Sequence, residues 1–491
     1  MSVETGRITT NIPARLDRLP WSRWHWMVVI GLGTVWILDG LEVTIVGSMS
    51  AALQPHSTGL GMNSWDIGFA GASYVAGSCV GALVFGQLTD RFGRKKLFMI
   101  TLGIYMVATV LTAFSQNPMW YFAARFLTGT GIGGEYAAIN SAVDELIPAS
   151  YRGRIDIAIN GSYWMGAVAG ALITVPLLDP TLVHPAWGWR AAFALGAILA
   201  VGILLVRRNV PESPRWLFIH GRDKEAERIV TDVERRVADD VGERLSVPEE
   251  TITIRQRRAI GFATIARTVV KVYPRRTILC LALFAGQAFL YNAFFFTYGD
   301  CLSTFFNVKT VGWYIAIFAA GNFLGALVLS PLFDRVGRVV MIASTYITSG
   351  VLLAITGLMI GHLNAVTLTA MGTLVFFVAS AGASAAYLTA SEVFPVETRA
   401  LCIAFFYAVG TGLGGIIGPL LFGYLLNKGA AEKDITVVGI GYLIGAALMV
   451  GGGLVEAFLG VKAEGRSLES IAQPLTADDD SDSAVSAPAR G

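Results

Sequence analysis

The sequence predicts an all-α membrane protein with twelve transmembrane helices in two pseudo-symmetric six-helix bundles. Three observations carry that prediction. Of 491 residues, 54% are hydrophobic and only 15% are charged, against roughly 25% charged in a soluble domain. The chain divides into apolar runs of the ~20 residues that cross a bilayer as helix, six on each side of one polar interruption. Short motifs of the first set recur in the second.

A polar, basic tail occupies 1–24, and the apolar run after it is too long for the h-region of a cleavable signal peptide. Runs follow near 25–52, 66–88, 97–116, 118–143, 155–178 and 187–207, forming an N-terminal bundle over 25–207. The segment 208–276 is the polar interruption. Its stretch GRDKEAERIVTDVERRVADD reads as a charge-laced amphipathic helix in a solvated cytoplasmic linker. Six more runs near 277–300, 310–333, 339–361, 365–390, 400–427 and 435–460 form the C-terminal bundle over 277–460. The remainder, 461–491, is a cytoplasmic tail that reads as largely disordered where Asp478, Asp479, Asp480 and Asp482 stand among Ser and Ala.

Glycine is abundant, 55 residues, as in membrane helices whose backbones approach closely. Cys79, Cys280, Cys301 and Cys402 sit in or beside apolar runs with neither metal-ligand spacing nor a disulfide framework, and read as packing residues. The balance of 37 basic against 35 acidic residues gives no signal for nucleic acid. The position of the charges is informative. Arg7, Arg15, Arg18, Arg23, Arg91, Arg94, Lys95, Lys96, Arg152, Arg154, Arg335, Arg338 and Arg399 fall on one side, and only Arg190, Lys309, Lys428 and Lys433 on the other. Positive charge marks the cytoplasmic side. A multi-pass protein of the plasma membrane with both termini cytoplasmic is expected.

The internal repeat is the most specific structural signal. GQLTDRFGRKK (86–96) follows the second run and SPLFDRVGR (330–338) follows the eighth, so Asp90, Arg91, Gly93 and Arg94 recur as Asp334, Arg335, Gly337 and Arg338. Glu145, Pro148 and Arg152 of ELIPASYR recur as Glu392, Pro395 and Arg399 of EVFPVETR. Glycine suits a tight turn, and a carboxylate beside it can hold basic groups or cap a neighbouring helix. Such clusters serve both topology and gating. Two repeated halves place a small-molecule site at their interface near the bilayer midplane.

Together with RFLTGTGIGGE (125–135) and PESPRWL (211–217), these motifs resemble the sugar porter branch of the major facilitator superfamily over roughly residues 20–460. The resemblance implies that superfamily's fold and a secondary transporter working by alternating access, functional as a monomer in the bilayer. It places loop gating on Asp90, Arg91, Arg94, Asp334, Arg335 and Arg338, and a cytoplasmic charge network on Glu145, Arg152, Glu392, Arg399, Glu212 and Arg215. Sugar porters hydrogen-bond their substrate from a seventh-span Gln-Gln and Asn. Gln287 and Asn292 match the second Gln and the Asn, whereas Gly286 replaces the first Gln. Asn160 stands where the fifth span has a Gln, and the tenth-span Gly-Pro-x-Pro-Trp reads ASAAY, ending on Tyr387. These departures take hexose off the top of the substrate list.

Ionisable residues inside a span are functional candidates. The first span holds Asp39 and Glu42, three residues apart on a shared helix face. The fourth holds Arg125 and Glu135. At 1.5 Å per residue, Glu42 and Arg125 reach similar depth, and Glu135 lies nearer the cytoplasm. Glu42 also matches the acid of the family's first-span Gly-Tyr-Asp signature, which proton-coupled members use with the fourth-span Arg. Two uses fit: Glu42 or Asp39 takes a proton and releases Arg125, or these charges hold a charged substrate. A permanent packing ion pair is the third reading. Glu135 is placed in proton or substrate passage. Glu456 and Asp300 read as interfacial residues without a role. Trp36, Tyr163, Trp164, Tyr291 and Tyr387, with Phe295 and Tyr298, suggest a substrate with an apolar or aromatic part.

The leading expectation is proton-coupled uptake of a small metabolite such as an organic or aromatic acid or a polyol. The alternatives are an uncoupled facilitator, or a proton antiporter exporting an organic cation or drug-like compound. GAVAG (166–170) lacks the Pro of the drug antiporters' fifth span, and GGIIGPLLFG (414–423) lies in the eleventh as in sugar porters, which favours symport or uniport. A non-transporting receptor on the same scaffold is a remote alternative. No nucleophile–base set, metal-ligand set or phosphate-cradling loop is visible, so neither an enzyme nor a cofactor or metal is expected.

Overall fold

The computed structural model describes residues 7–57, 59–207, 211–219, 221–242, 245, 252–255, 271, 273–394 and 399–462. Twelve long helices follow in chain order: α1 (Arg23–Ser48), α2 (Ser64–Phe92), α3 (Arg94–Ala113), α4 (Pro118–Leu146), α5 (Ala149–Leu177) and α6 (Pro185–Arg207). The second set is α7 (Pro274–Phe306), α8 (Val311–Val336), α9 (Arg338–Met359), α10 (Ala365–Glu392), α11 and α12 (Thr436–Leu459). Helix α11 is interrupted: Arg399–Phe406 leads through a π-helical turn, Tyr407–Thr411, into Gly412–Glu432. Ten of the twelve are long and apolar enough to cross a membrane, judged over the described residues. The starts of α2 and α10 carry side-chain caps. Asn63 accepts from the Asp66 N–H at 3.0 Å at the start of α2, and Asn364 from the Thr367 N–H at 2.9 Å at the start of α10.

The repeat in the sequence is a repeat in packing. In the N-terminal half α1 packs on α5, α2 on α4 and α3 on α6; in the C-terminal half α7 packs on α11, α8 on α10 and α9 on α12. The halves meet through α1 with α7, α2 with α11 and α5 with α8. The turns at the recurring motifs are tighter than a loop. Helix α2 runs through Asp90 and Arg91 to Phe92, and α8 through Asp334 and Arg335 to Val336, so the link to the next helix is one glycine. Gly93 has φ 94° and ψ 154°, and Gly337 has φ 103° and ψ 146°. Only glycine reaches that region without strain, which explains its recurrence at fixed spacing.

Call the end where α1 begins and α12 finishes proximal, and the other end distal. The halves press together distally. A Cβ on Gly47 of α1 would stand 2.0 Å from the Phe295 carbonyl oxygen of α7, and one on Gly299 would stand 2.2 Å from the Gly47 carbonyl oxygen. Backbone touches backbone at this crossing, as small residues allow between membrane helices.

Three expectations are corrected. The first apolar run breaks at Met49, so α1 ends at Ser48 and a separate short helix, Ser50–Leu53, follows; the seventh extends beyond 277–300 to Pro274–Phe306. The polar interruption is not simply a solvated linker. Its helix Asp223–Val241 buries Ala226, Val230, Val233 and Val237 on one face, and the N-terminal tail forms a short helix, Ile12–Asp17, that contacts it. Arg15 binds Glu227 at 2.5 Å and Glu234 at 2.6 Å, Arg18 also binds Glu234, and Asp240 accepts from the Arg23 N–H at 2.7 Å at the start of α1. A two-stranded antiparallel pairing of Arg7–Thr10 with Ile252–Arg255 extends the link. Glu456 and Asp300 are buried, at 1% and 0% exposure, with Asp300 toward the distal end of α7.

Candidate functional site

The α1–α5 pairing brings the first-span acids to the middle of the N-terminal half, where α3, α4 and α6 add their side chains. Glu42 and Arg125 form a buried ion pair, Nη2 to Oε1 at 2.8 Å, with about 1% of the arginine side chain exposed. Thr112 of α3 and Thr128 of α4 accept from the same nitrogen at 3.2 and 3.0 Å. The guanidinium carbon lies 4.9 Å from the Phe193 ring centroid and 5.9 Å from that of Tyr121, a cation–π arrangement in a buried site. The second carboxylate oxygen of Glu42 and Nε of Arg125 are buried without a hydrogen-bond partner among the described residues. The pair is therefore incompletely satisfied, which makes its charged form costly to hold. Tyr105 of α3 stands beside the acid, and Thr109 stands beside Tyr105.

Asp39, one turn before Glu42, faces the boundary between halves. Its Oδ1 accepts from the Tyr74 hydroxyl of α2 at 2.9 Å. Tyr163 of α5, Tyr387 of α10 and Tyr407 of the α11 π-turn stand within electrostatic reach of the same carboxylate. Tyr407 also donates to Ser78 of α2 at 3.3 Å, a bond from one half to the other. That hydroxyl is carried by the first residue of the π-turn, and π-bulges are frequent at functional sites.

An aromatic wall adjoins this point. Trp164 of α5 meets Tyr291 and Phe295 of α7 with ring centroids 5.6 Å apart in each case, and Tyr163 meets Trp36 of α1 at 6.4 Å. Tyr291 donates to Asn322 of α8 at 3.2 Å. Gln287 has its amide oxygen buried with no partner among the described residues. Asn292 donates to the Ala288 carbonyl of its own helix at 2.9 Å and lies against Gly415 of α11. Asn160 is half-buried on α5. Gly286 faces α12, where a Cβ would lie 3.2 Å from the Leu448 carbonyl oxygen.

The structure thus joins Glu42 to Arg125 and gathers Asp39, Tyr163, Trp164, Tyr291, Tyr387 and Trp36 near the interface. Glu135 is buried on α4, about 15 Å from Arg125 along the helix at 1.5 Å per residue. At the proximal end Glu212 accepts from the Lys95 N–H at 3.1 Å, capping α3 immediately after Gly93. Arg335 is exposed and Arg338 half-buried. The side chains of Asp90, Arg91, Arg94, Glu145, Arg152, Arg215, Asp334, Glu392 and Arg399 lie outside the described residues. Tyr74, Tyr105, Thr112, Thr128, Ser78 and Tyr407 were missed from the sequence. Spacing from Asp39 and Glu42 does not find them, since they come from other helices.

Twelve membrane helices in two corresponding halves, with buried charge and aromatic groups at their junction, define a transporter. The match to the sugar (and other) transporter family model runs over residues 24–475, and the chain belongs to that family. Among its relatives is the niacin transporter NiaP of Acinetobacter baylyi, 27% identical over 94% of this chain and 99% of that one. The 4-hydroxybenzoate transporter PcaK of the same species is 25% identical over 86% of this chain and 90% of the other. The solved structure of a D-xylose-proton symporter superposes with a TM-score of 0.68 at 18% identity, covering 90% of this chain and all of that one (100%).

Proposed function

We propose that this protein is a proton-coupled symporter that brings a small solute with an aromatic or heteroaromatic ring, such as an aromatic carboxylate, into the cell. The buried and incompletely satisfied pair of Glu42 with Arg125 carries the coupling part of this reading. Protonating Glu42 removes the partner charge, leaves Arg125 to the threonines that already accept from it, and changes how α1 sits against α4. A buried ion pair that must open and close suits a switch better than a strut, because burial favours the neutral acid while the arginine favours the charged one.

The aromatic wall supports the substrate part: Trp164, Tyr291 and Phe295 offer ring faces, and Gln287 an unfilled amide oxygen. The names of the niacin and 4-hydroxybenzoate relatives point to the same chemistry. Asp39, ringed by tyrosines, is a second candidate for the proton, since an anionic substrate beside it requires its neutral form. In this reading the proximal end, with the arginine-rich turns, the tail and the central loop, is cytoplasmic.

Uptake into proteoliposomes of aromatic acids, polyols, hexoses and organic cations, with and without an inward proton gradient, tests the proposal. Aromatic acids should accumulate only with the gradient. Uptake that is unchanged on collapsing the gradient would leave a facilitator, and preference for organic cations would reassign Asp39 to cation binding.

A further inference from the structure

At the distal end one carboxylate of the C-terminal half reaches into the N-terminal half. Asp300, in the last turns of α7, is fully buried. Its Oδ1 accepts from Gln54 Nε2 at 2.6 Å and from Thr304 Oγ1 at 3.2 Å, and the Ser64 hydroxyl stands on the same carboxylate. Gln54 follows the distal end of α1 and Ser64 opens α2, so two of these three donors belong to the other half. The carboxylate lies beside the close crossing of α1 and α7. Gly47 and Gly299 pass backbone to backbone there, and a Cβ on Gly299 would also stand 3.2 Å from the Ser50 hydroxyl.

A carboxylate buried among neutral donors at a close-packed crossing is an expensive residue, and it stands on α7 about 7.5 Å beyond Phe295 along the helix, at the distal edge of the aromatic wall. Hydrogen bonds to a charged acceptor are short and strong, yet water replaces them at little loss once the crossing opens. That combination belongs to a contact made and broken in each cycle. We propose that Asp300, with Gln54 and Ser64, is the latch of the distal gate, holding the halves together while the proximal end is open and releasing to water when the distal end opens.

Ser50 supplies the reporter, since its hydroxyl is buried at the same crossing. In a protein whose buried Cys79, Cys280, Cys301 and Cys402 are replaced by alanine, Ser50→Cys is labelled with a membrane-impermeant maleimide from the distal side. Asp300→Asn and Gln54→Ala, made singly, should each raise the labelling rate about tenfold, the loss of one charge-assisted hydrogen bond. The double variant should label no faster than the faster single, because both break one contact. Unchanged labelling in the singles, or effects that multiply in the double, would overturn the latch. Gln54→Ala tests the same contact from the other half if Asp300→Asn fails to fold. No substrate enters the readout, so it stands whatever solute the protein carries.

Discussion

Glu42 and Arg125 are 83 residues apart in sequence and 2.8 Å apart in space, and their removal should not be symmetrical. Arg125→Ala breaks the pair and also empties the volume that the guanidinium fills against Phe193 and Tyr121, a change that typically costs about 3–5 kcal/mol. Glu42→Gln keeps an oxygen that can still accept from Nη2, and should cost less. Thermal unfolding in detergent should therefore rank Arg125→Ala well below Glu42→Gln, with the wild type highest. In transport the order of interest is different. Glu42→Gln should abolish accumulation against a gradient while preserving counterflow exchange, because the halves can still rock without a proton to carry. Accumulation that survived would remove Glu42 as the proton site. Both residues were legible in the sequence, since charge inside an apolar run is conspicuous. Their companions were not. Tyr105, Thr112, Thr128 and Tyr407 are uncharged residues in apolar helices, and nothing local separates a threonine that accepts from Arg125 from one that bonds its own helix.

At the scale of elements, the helix Asp223–Val241 was readable from its charge pattern, but its partner was not, because the tail that covers it comes more than 200 residues earlier, as in Arg15 to Glu234. Burial of Glu234 pushes its carboxyl upward, but the hydrogen bonds from Arg15 and Arg18 outweigh it and hold the group below the ordinary carboxylate range. The sign follows. A depressed folded-state value means that the contact contributes at neutral pH and is lost as pH falls through and below that range. A spin label on Ala14 should be immobile at pH 7 and mobilise below about pH 4, near the unperturbed carboxylate value. Glu234→Arg should mobilise it at pH 7, and Arg15→Glu combined with Glu234→Arg should restore the contact in reverse. A label that stayed immobile in Glu234→Arg would show that Ile12 and Leu16, both buried, hold the tail without the charges. The π-turn in α11 was likewise invisible, because Tyr407–Thr411 reads as one more stretch of apolar helix.

At the scale of the whole molecule, the division into two sets of six helices was written in the apolar runs, and the recurring glycines marked where the halves correspond. How the halves meet was not written, because a glycine at a helix crossing looks like any other small residue in an apolar run. Gly299 shows the consequence. Valine there places its Cβ where the Gly47 carbonyl oxygen lies, 2.2 Å away, and backbone cannot yield as a flexible side chain does. The strain exists only while the distal end is closed, since opening separates α7 from α1. Overpacking of this kind typically costs about 1–3 kcal/mol, enough to shift the balance between the closed and open distal end roughly 5- to 150-fold. Gly299→Val should therefore bind substrate from the distal side as well as the wild type or better, yet carry it across slowly, because each cycle must pass through the strained state. Direct binding of substrate to the purified variant, set beside the rate of counterflow, separates the two effects. Counterflow at the wild-type rate would show that the Gly47–Gly299 crossing loosens without opening, and that the distal closure is set elsewhere along α2 and α11.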